Sequence, residues 1–583
     1  MGSENTTGEK SMKKIGIVLV AAVILAVSGY SYVSRVSDDL LEFAEYLPQD
    51  TLAAFSITNL NDLIDSFGSS PLGRFLAKEN CNGIMRMLQV DPAVRDQYDA
   101  AYDNVVSLLT NPAFQTVFGR DATLAVLSLE VAAMWQTPVL ELQRSTVLLA
   151  RSIAPGALEG FVRLMSKSAS AETVEGVELT KVILEDGQVL YGVSESDMVL
   201  LSYDPSVLIR CLAVHNGGVS LRDSDAFGQA QNYWNEVPEE QVYSRLFLHG
   251  DNLRQTFSEA ADEDMQVYLA DTDGITAIAG VVFHAGELLQ VDTMAFFQPD
   301  RLPQALRDMI AGQADTNTTL ELIHENCLAY EWSSALIPEG ARHYLQNAPG
   351  GQLLDLEKAL TESLGVPMED ILEGFGPQYG FVVNEIVKGG FFPVPKVLMF
   401  FEIRDRVAAA RVVDMAREVI TNTGYTREQK RQYAGTTLYY WSFFPGEATT
   451  VVLVMTDTMV YMANGFSTLQ TVLDQQGQHV GLNTVIASEM GETMSAQVDQ
   501  ARLGLHLLYP RRMAIEMRDI MQWLVDMAPV SKGTTLSQMS DEFIRLMESV
   551  EVTAGTSSLT PDYATWNWTL KFAGQGESGN STP

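Results

Sequence analysis

The sequence has little cysteine, little histidine and little positive charge, and each scarcity removes a class of function. Cys81, Cys211 and Cys327 are the only cysteines in 583 residues. None stands in a CxxC, CxxCH or finger-type spacing, which excludes covalently attached haem and a cysteine-ligated zinc site. A Cys81–Cys327 disulfide is compatible with an oxidising compartment, whereas Cys211 lies in an apolar helical run and reads as a small core side chain. The seven histidines are scattered without a ligand-spaced partner, so no metal is expected. Against 38 lysines and arginines stand 74 acids, a formal charge of −36, which repels nucleic-acid phosphate and anionic lipid alike; no nucleic-acid partner is expected. Also missing are a phosphate loop, a dinucleotide fingerprint, a GxSxG elbow, an HExxH pair and an EF-hand, so neither a cofactor nor a catalytic residue is assigned. Asp271-Thr272-Asp273-Gly274 comes nearest to a calcium loop, but Leu269 and Gly280 stand where its first and last carboxylates belong. It reads as a tight turn.

The sequence does have a long hydrophobic run near its start. Lys13-Lys14 precede the uncharged stretch Ile15 to Val33, and Arg35 and Asp38-Asp39 follow it. At about 1.5 Å per residue the stretch reaches roughly 28 Å, close to the hydrocarbon thickness of a bilayer. Lysines before and acids after it put residues 1–14 in the cytoplasm and the body outside. A cleaved signal peptide ending near Ala26-Val27-Ser28 is the competing reading; the uncleaved anchor is favoured because the apolar run continues past that site. Both readings export the body. Residues 34–47 then read as a juxtamembrane helix or linker, stopping before Pro48.

The body repeats itself. Phe118-Gly119 returns at Phe375-Gly376, Gly176 at Gly435, Met198-Val199 at Met459-Val460, and the RLxLH pattern of Arg245 to His249 at Arg502 to His506. The separations are nearly constant, which predicts a tandem duplication of two related α+β units, residues 48–310 and 311–572, with antiparallel sheets and a disordered tail at 573–583. Strand-like DTLAAFSI and NCLAYEW open the two units. Asp204-Pro205 marks a helix start, and TWNWTLKF reads as a closing strand.

Three groups of residues stand out as site candidates. Paired strand signals predict a β-hairpin in each unit, and the hairpin tips carry Trp135 and Pro138 in one and Phe391, Phe392 and Pro393 in the other. Turns are normally polar, so large aromatics there ask for a burial partner, either internal or a docked protein. Met513, Met517 and Met521 recur at four-residue spacing, a pliable apolar stripe that suits an apolar ligand or partner, or else fills a core. Strand alternation puts Arg245 with His249, and Arg502 with His506, on one face each, a possible anion site whose plainer reading is a solvated strand face.

The stretch LPQDTLAAFSITNLNDLIDSFGSSPLGRFL, followed by FGRDATLAVL, resembles the bacterial DUF3352 family of exported proteins of unknown function. The resemblance implies an N-terminal membrane segment and a long exported body over residues 48–572, and it carries no catalytic residues across. The functional expectation is a non-enzymatic, single-pass protein of the cytoplasmic membrane, its body on the periplasmic side, acting as an interaction scaffold or assembly factor with a protein partner. A carrier of lipid or another apolar ligand is the alternative, and an exported hydrolase with dispersed residues the third reading.

Overall fold

The computed structural model describes residues 39–573 apart from 59, 62–73, 75–76, 88–89, 153–155, 185–186, 238–241, 260–262, 287, 321–326, 339–357, 359–360, 362–364, 388–392, 476–490, 492–493 and 528–529. The predicted membrane span, Phe391 and Phe392, and all of the tail but Ala573 lie outside the described residues. Among the described residues no helix is long and apolar enough to cross a membrane.

The fold is α+β, built on one antiparallel sheet of twenty strands. The first ten are β1 Ala53–Thr58, β2 Asp121–Val126, β3 Thr146–Arg151, β4 Ser166–Val174, β5 Val177–Leu184, β6 Val189–Glu195, β7 Met198–Ser202, β8 Val242–His249, β9 Ile275–Ala285 and β10 Leu288–Phe297. The second ten are β11 Ala329–Ser333, β12 Phe375–Val387, β13 Val394–Ile403, β14 Gln429–Tyr433, β15 Thr436–Ser442, β16 Thr450–Met455, β17 Met459–Asn464, β18 Gly504–Leu508, β19 Val550–Leu559 and β20 Tyr563–Phe572. From one edge to the middle the order is β4, β5, β6, β7, β3, β2, β1, β8, β9, β10. From the other edge it is β14, β15, β16, β17, β13, β12, β11, β18, β19, β20. The series meet where β10 pairs with β20, Asp292 opposite Asn567.

Local chemistry sets the turns. Glu175-Gly176 and Ala434-Gly435 link β4 to β5 and β14 to β15, with φ of 53° and 84° in the first pair and 47° and 79° in the second. Two successive positive φ values make the two-residue turn whose twist matches the strands, and glycine takes the second position without a Cβ clash. The Asp204 carboxylate accepts from the Ser206 amide and Pro205 opens the helix Pro205–His215. Asp271 to Gly274 is a turn, with Gly274 at φ 84° and the Asp273 carboxylate taking the Gly274 amide and Arg301.

The link between β2 and β3 differs from the hairpin expected of it. The two strands do pair, yet the chain between them forms the helices Val131–Gln136 and Pro138–Ser145. Pro138 starts the second helix, and Glu141 ties the pair by accepting from the Glu130 amide (2.7 Å) and the Ser145 hydroxyl (3.2 Å). The apolar spacing of this segment serves a helix as well as a strand, and the proline at the first helical position decides it. β12 and β13 form the expected hairpin, paired up to Val387 and Val394.

Apolar clusters cover both faces of the sheet. On one face the helices Pro205–His215 and Asp225–Trp234 close a core around Ala54, Val147, Leu200 and Phe247, and a second core gathers Tyr330, Val382, Leu398 and Leu505. Leu40, Phe43, Ala44 and Leu47 are fully buried in the first of these. The apolar side of residues 40–47 thus packs into a core. The two cores flank a polar seam at the β10–β20 junction, where Gln290 faces Thr569 and Asp292 faces Asn567. On the opposite face, Phe118 and Phe161 cluster over one flank, Val413 and Trp441 over the other, and Leu306 and Met309 at one end of the middle. No disulfide joins the three cysteines; Cys211 is buried in its helix, and burial pushes its thiol up to about 12.

Candidate functional site

The two copies of RLxLH do not occupy matching places. His249 donates its amide to the Leu52 carbonyl at 2.8 Å, and the residue making the same bond in the second half is Tyr509, to Leu328 at 2.9 Å. The copies are therefore out of step by three residues, and an odd slip exchanges the faces of a strand. Arg245 lies on the core face, 3% exposed, with its guanidinium 5.9 Å from the Trp234 ring centre, so its face is buried rather than solvated. His249 caps the helix Gly250–Ser258, its Nδ1 accepting from the Asn252 amide, and burial holds it below the usual imidazole range against the pull of Asp251 and Asp50. Arg502 precedes β18, and His506 points to the other face. Four strands separate β8 from β18, about 24 Å at the usual strand spacing, so the two pairs build no common anion site.

Trp135 falls in the helix Val131–Gln136, and Pro138 at the start of the next is half-buried, as is Pro393 beside the second tip. Met513, Met517 and Met521 lie on the helix Pro510–Met527, all half-buried, with Ala514 as its fully buried contact. This helix packs on the helix Val530–Glu548 and on β19.

The structure gathers a different set around His506. Its Nδ1 bonds the Glu331 carboxylate from the neighbouring β11, and its ring stacks on Trp568, centroids 5.7 Å apart at 11°. Trp568 lies flat because its strand neighbour is Gly555: a Cβ there would stand 3.1 Å from the indole. Gly504 has a similar place between His506 and Ser557, since its Cβ would lie 2.8 Å from Ser557 Oγ and 3.6 Å from His506 Nε2. Trp566 projects from the same side of β20, two residues away.

These residues belong to the middle of the sheet face. One cross-strand row runs through Phe55, Leu246, Gly280, Thr293, Trp566 and Ser557, and the next through Val291, Trp568, Gly555, His506, Glu331 and Phe381. Trp566 is 42% and Trp568 44% exposed, and Leu124, Phe381 and Leu508 on the same face are exposed as well. Two neighbouring indoles are thus left in water on a broad sheet face. Sequence reading found TWNWTLKF as a strand, and its Trp-x-Trp alternation was the available signal. The partners of His506, Glu331 and Trp568, come from strands 175 and 62 residues away, and no local pattern marks them.

Compared with known proteins, the chain matches no protein-family model, no curated protein and no solved structure.

Proposed function

We propose that this protein is a membrane-anchored envelope scaffold whose docking face is the uncovered middle of its sheet. The observation that carries the reading is the pair Trp566 and Trp568, side by side and exposed among His506, Glu331 and Phe381. Burying on the order of 100 Å² more of each indole would contribute about 2.5 kcal/mol per ring, enough for the pair to anchor an interface. The partner is a protein with an apolar contact patch and a basic surround, which a charge of −36 would steer to it.

In this reading residues 15–33 span the cytoplasmic membrane, the body stands on the periplasmic side, and the body is a tandem duplication, as the DUF3352 resemblance and the repeated motifs suggest. The matching strand order of the two series and the matching Gly176 and Gly435 turns support the duplication. Trp566→Ser combined with Trp568→Ser in the full-length chain is expected to abolish recovery of the partner at an unchanged melting temperature. Undiminished recovery would sink the docking face. Resistance of the wild-type chain to alkaline extraction tests the anchor separately.

A hydrolase reading has one observation of its own, the Ser557, His506 and Glu331 series around Gly504. It would make Ser557 the nucleophile and His506 its base. The scaffold account expects a serine-directed fluorophosphonate to leave Ser557 unlabelled; labelling lost in Ser557→Ala would favour the hydrolase. The carrier reading keeps the methionine stripe as its wall and predicts lipid bound to the purified body.

A further inference from the structure

A cleft of about 630 Å³ opens where residues 41–46 meet the first half of the body. Its volume falls in the range of small-molecule sites. Its walls carry both signs of charge: Glu42, Glu45 and Asp197 on one hand, Arg151 and Arg222 on the other, around the stacked rings of Tyr46 and His215, whose centroids are 3.9 Å apart at 7°. Met198 and Leu41 line it as apolar surface. The Tyr46 hydroxyl is held above the usual phenol range by burial, then by Glu195, Asp197 and Glu45. The carboxylates of Glu42, Glu45 and Asp197 line the same cleft, surroundings that favour an ammonium group.

Both arginines are engaged, Arg222 in an exposed pair and Arg151, itself mostly buried, in two more. Arg222 pairs with Glu45, both about half exposed; Arg151 pairs with Glu42 and, at 3.4 Å, with Asp197. The Arg222–Glu45 pair is exposed, and such pairs contribute little, about 0–1 kcal/mol, so exchanging it for a ligand's own charge costs little; Arg151, its side chain 17% exposed, is the fixed cation beside it. Arg–phosphate bonds, which form in forked pairs, are stronger than what they would replace. Gln231 and Asn235 add amide donors and acceptors to the same cleft.

We propose that this cleft binds a small zwitterion carrying a phosphate and an amine, the phosphate on Arg222 and Arg151 and the amine beside Tyr46 between Glu45 and Asp197. The membrane is the favoured source of that chemistry, as a phospholipid headgroup, and this part rests on the anchored reading. The eight steps of chain from Val33 to Leu41 can separate the cleft from the end of the span by no more than about 27 Å.

The test titrates the full-length chain, in maltoside detergent, with phosphoethanolamine by calorimetry. Saturable binding is expected, at least tenfold tighter than ethanolamine or inorganic phosphate alone, and weakened tenfold or more by Arg222→Gln and by Asp197→Asn. Both substitutions fall on exposed side chains, and circular dichroism confirms that each variant is folded. Absence of saturable binding, or equal affinity in both folded variants, would overturn the site. Nanodiscs then separate the sources. Displacement of phosphoethanolamine by phosphatidylethanolamine discs but not by phosphatidylglycerol discs supports the lipid, and no displacement by either overturns the membrane source. Release of the chain by alkaline extraction would refute the anchor while leaving the titration with free ligand as a valid measure of the site.

Discussion

After β8 the chain turns through two helices of nine residues, Gly250–Ser258 and Glu263–Asp271, before β9; after β18 the same step takes helices of eighteen and nineteen residues, Pro510–Met527 and Val530–Glu548. Between β1 and β2 the imbalance reverses: 62 residues separate these strands against 41 between β11 and β12, and the longer stretch carries the helices Lys78–Met87 and Pro92–Leu109. These enlargements meet: the helix Val530–Glu548 packs against Lys78–Met87. The two halves thus keep one strand order and differ in the length of these helical links, which touch each other in addition to the β10–β20 pairing. Strand order is fixed by a ladder in which a slip of one residue inverts every face, whereas a helical insert needs only a complementary neighbour.

Because β10 and β20 pair through nine positions, the halves are expected to unfold together. Trp234 and Trp332 are each almost fully buried, with Nε1 donating to the Gly280 carbonyl and to Gln378 Oε1 respectively. Trp234→Ala and Trp332→Ala are each expected to destabilise by about 3–5 kcal/mol and to preserve a single transition in calorimetry. Two separated transitions would break the comparison, showing halves that fold alone.

The next largest effect lies at the junction, where the first half has Asp292 opposite the second half's Asn567. Burial raises the Asp292 carboxyl to about 7. A carboxyl raised above its unfolded value of about 3.9 favours the folded state fully below that value, and the contribution is lost as pH rises toward 7. Asp292→Asn is therefore expected to change stability little at pH 4 and to gain at pH 8, by up to about 4 kcal/mol. Denaturant melts at the two pH values decide it, and an equal effect at both would contradict the seam's electrostatics.

Smaller effects test the match of the turns and the posture of the indole. Gly176→Ala and Gly435→Ala each place a Cβ at positive φ and are expected to cost the same, about 1–2 kcal/mol. Unequal costs in urea melts would weaken the equivalence. Gly555→Ala is expected to tilt Trp568 off His506, read as a shift in tryptophan emission with less than about 1 kcal/mol lost.

Much of the framework was legible because its signals are local. The strand at DTLAAFSI and the cap at Asp204 each depend on a few adjacent residues. RLxLH misled because four matching letters resemble a register, while register is set by the neighbouring strand, and Leu52 and Leu328 place the copies three residues apart. Residues 34–47 read as a joining helix or linker since amphipathic spacing cannot tell which core receives the apolar side. The set around His506 was out of reach for the same reason that contact order slows folding: Glu331, Ser557 and Trp568 are near it only once the sheet is built.

The central claim is that the indole-bearing middle of the sheet docks a partner, and the most direct test is the native mass of the full-length complex at endogenous level, wild type against Trp566→Ser with Trp568→Ser. The account predicts a fixed-stoichiometry complex for the wild type and the lone chain for the variant. A variant that keeps the wild-type mass, or a wild type that runs as a lone chain, would contradict it.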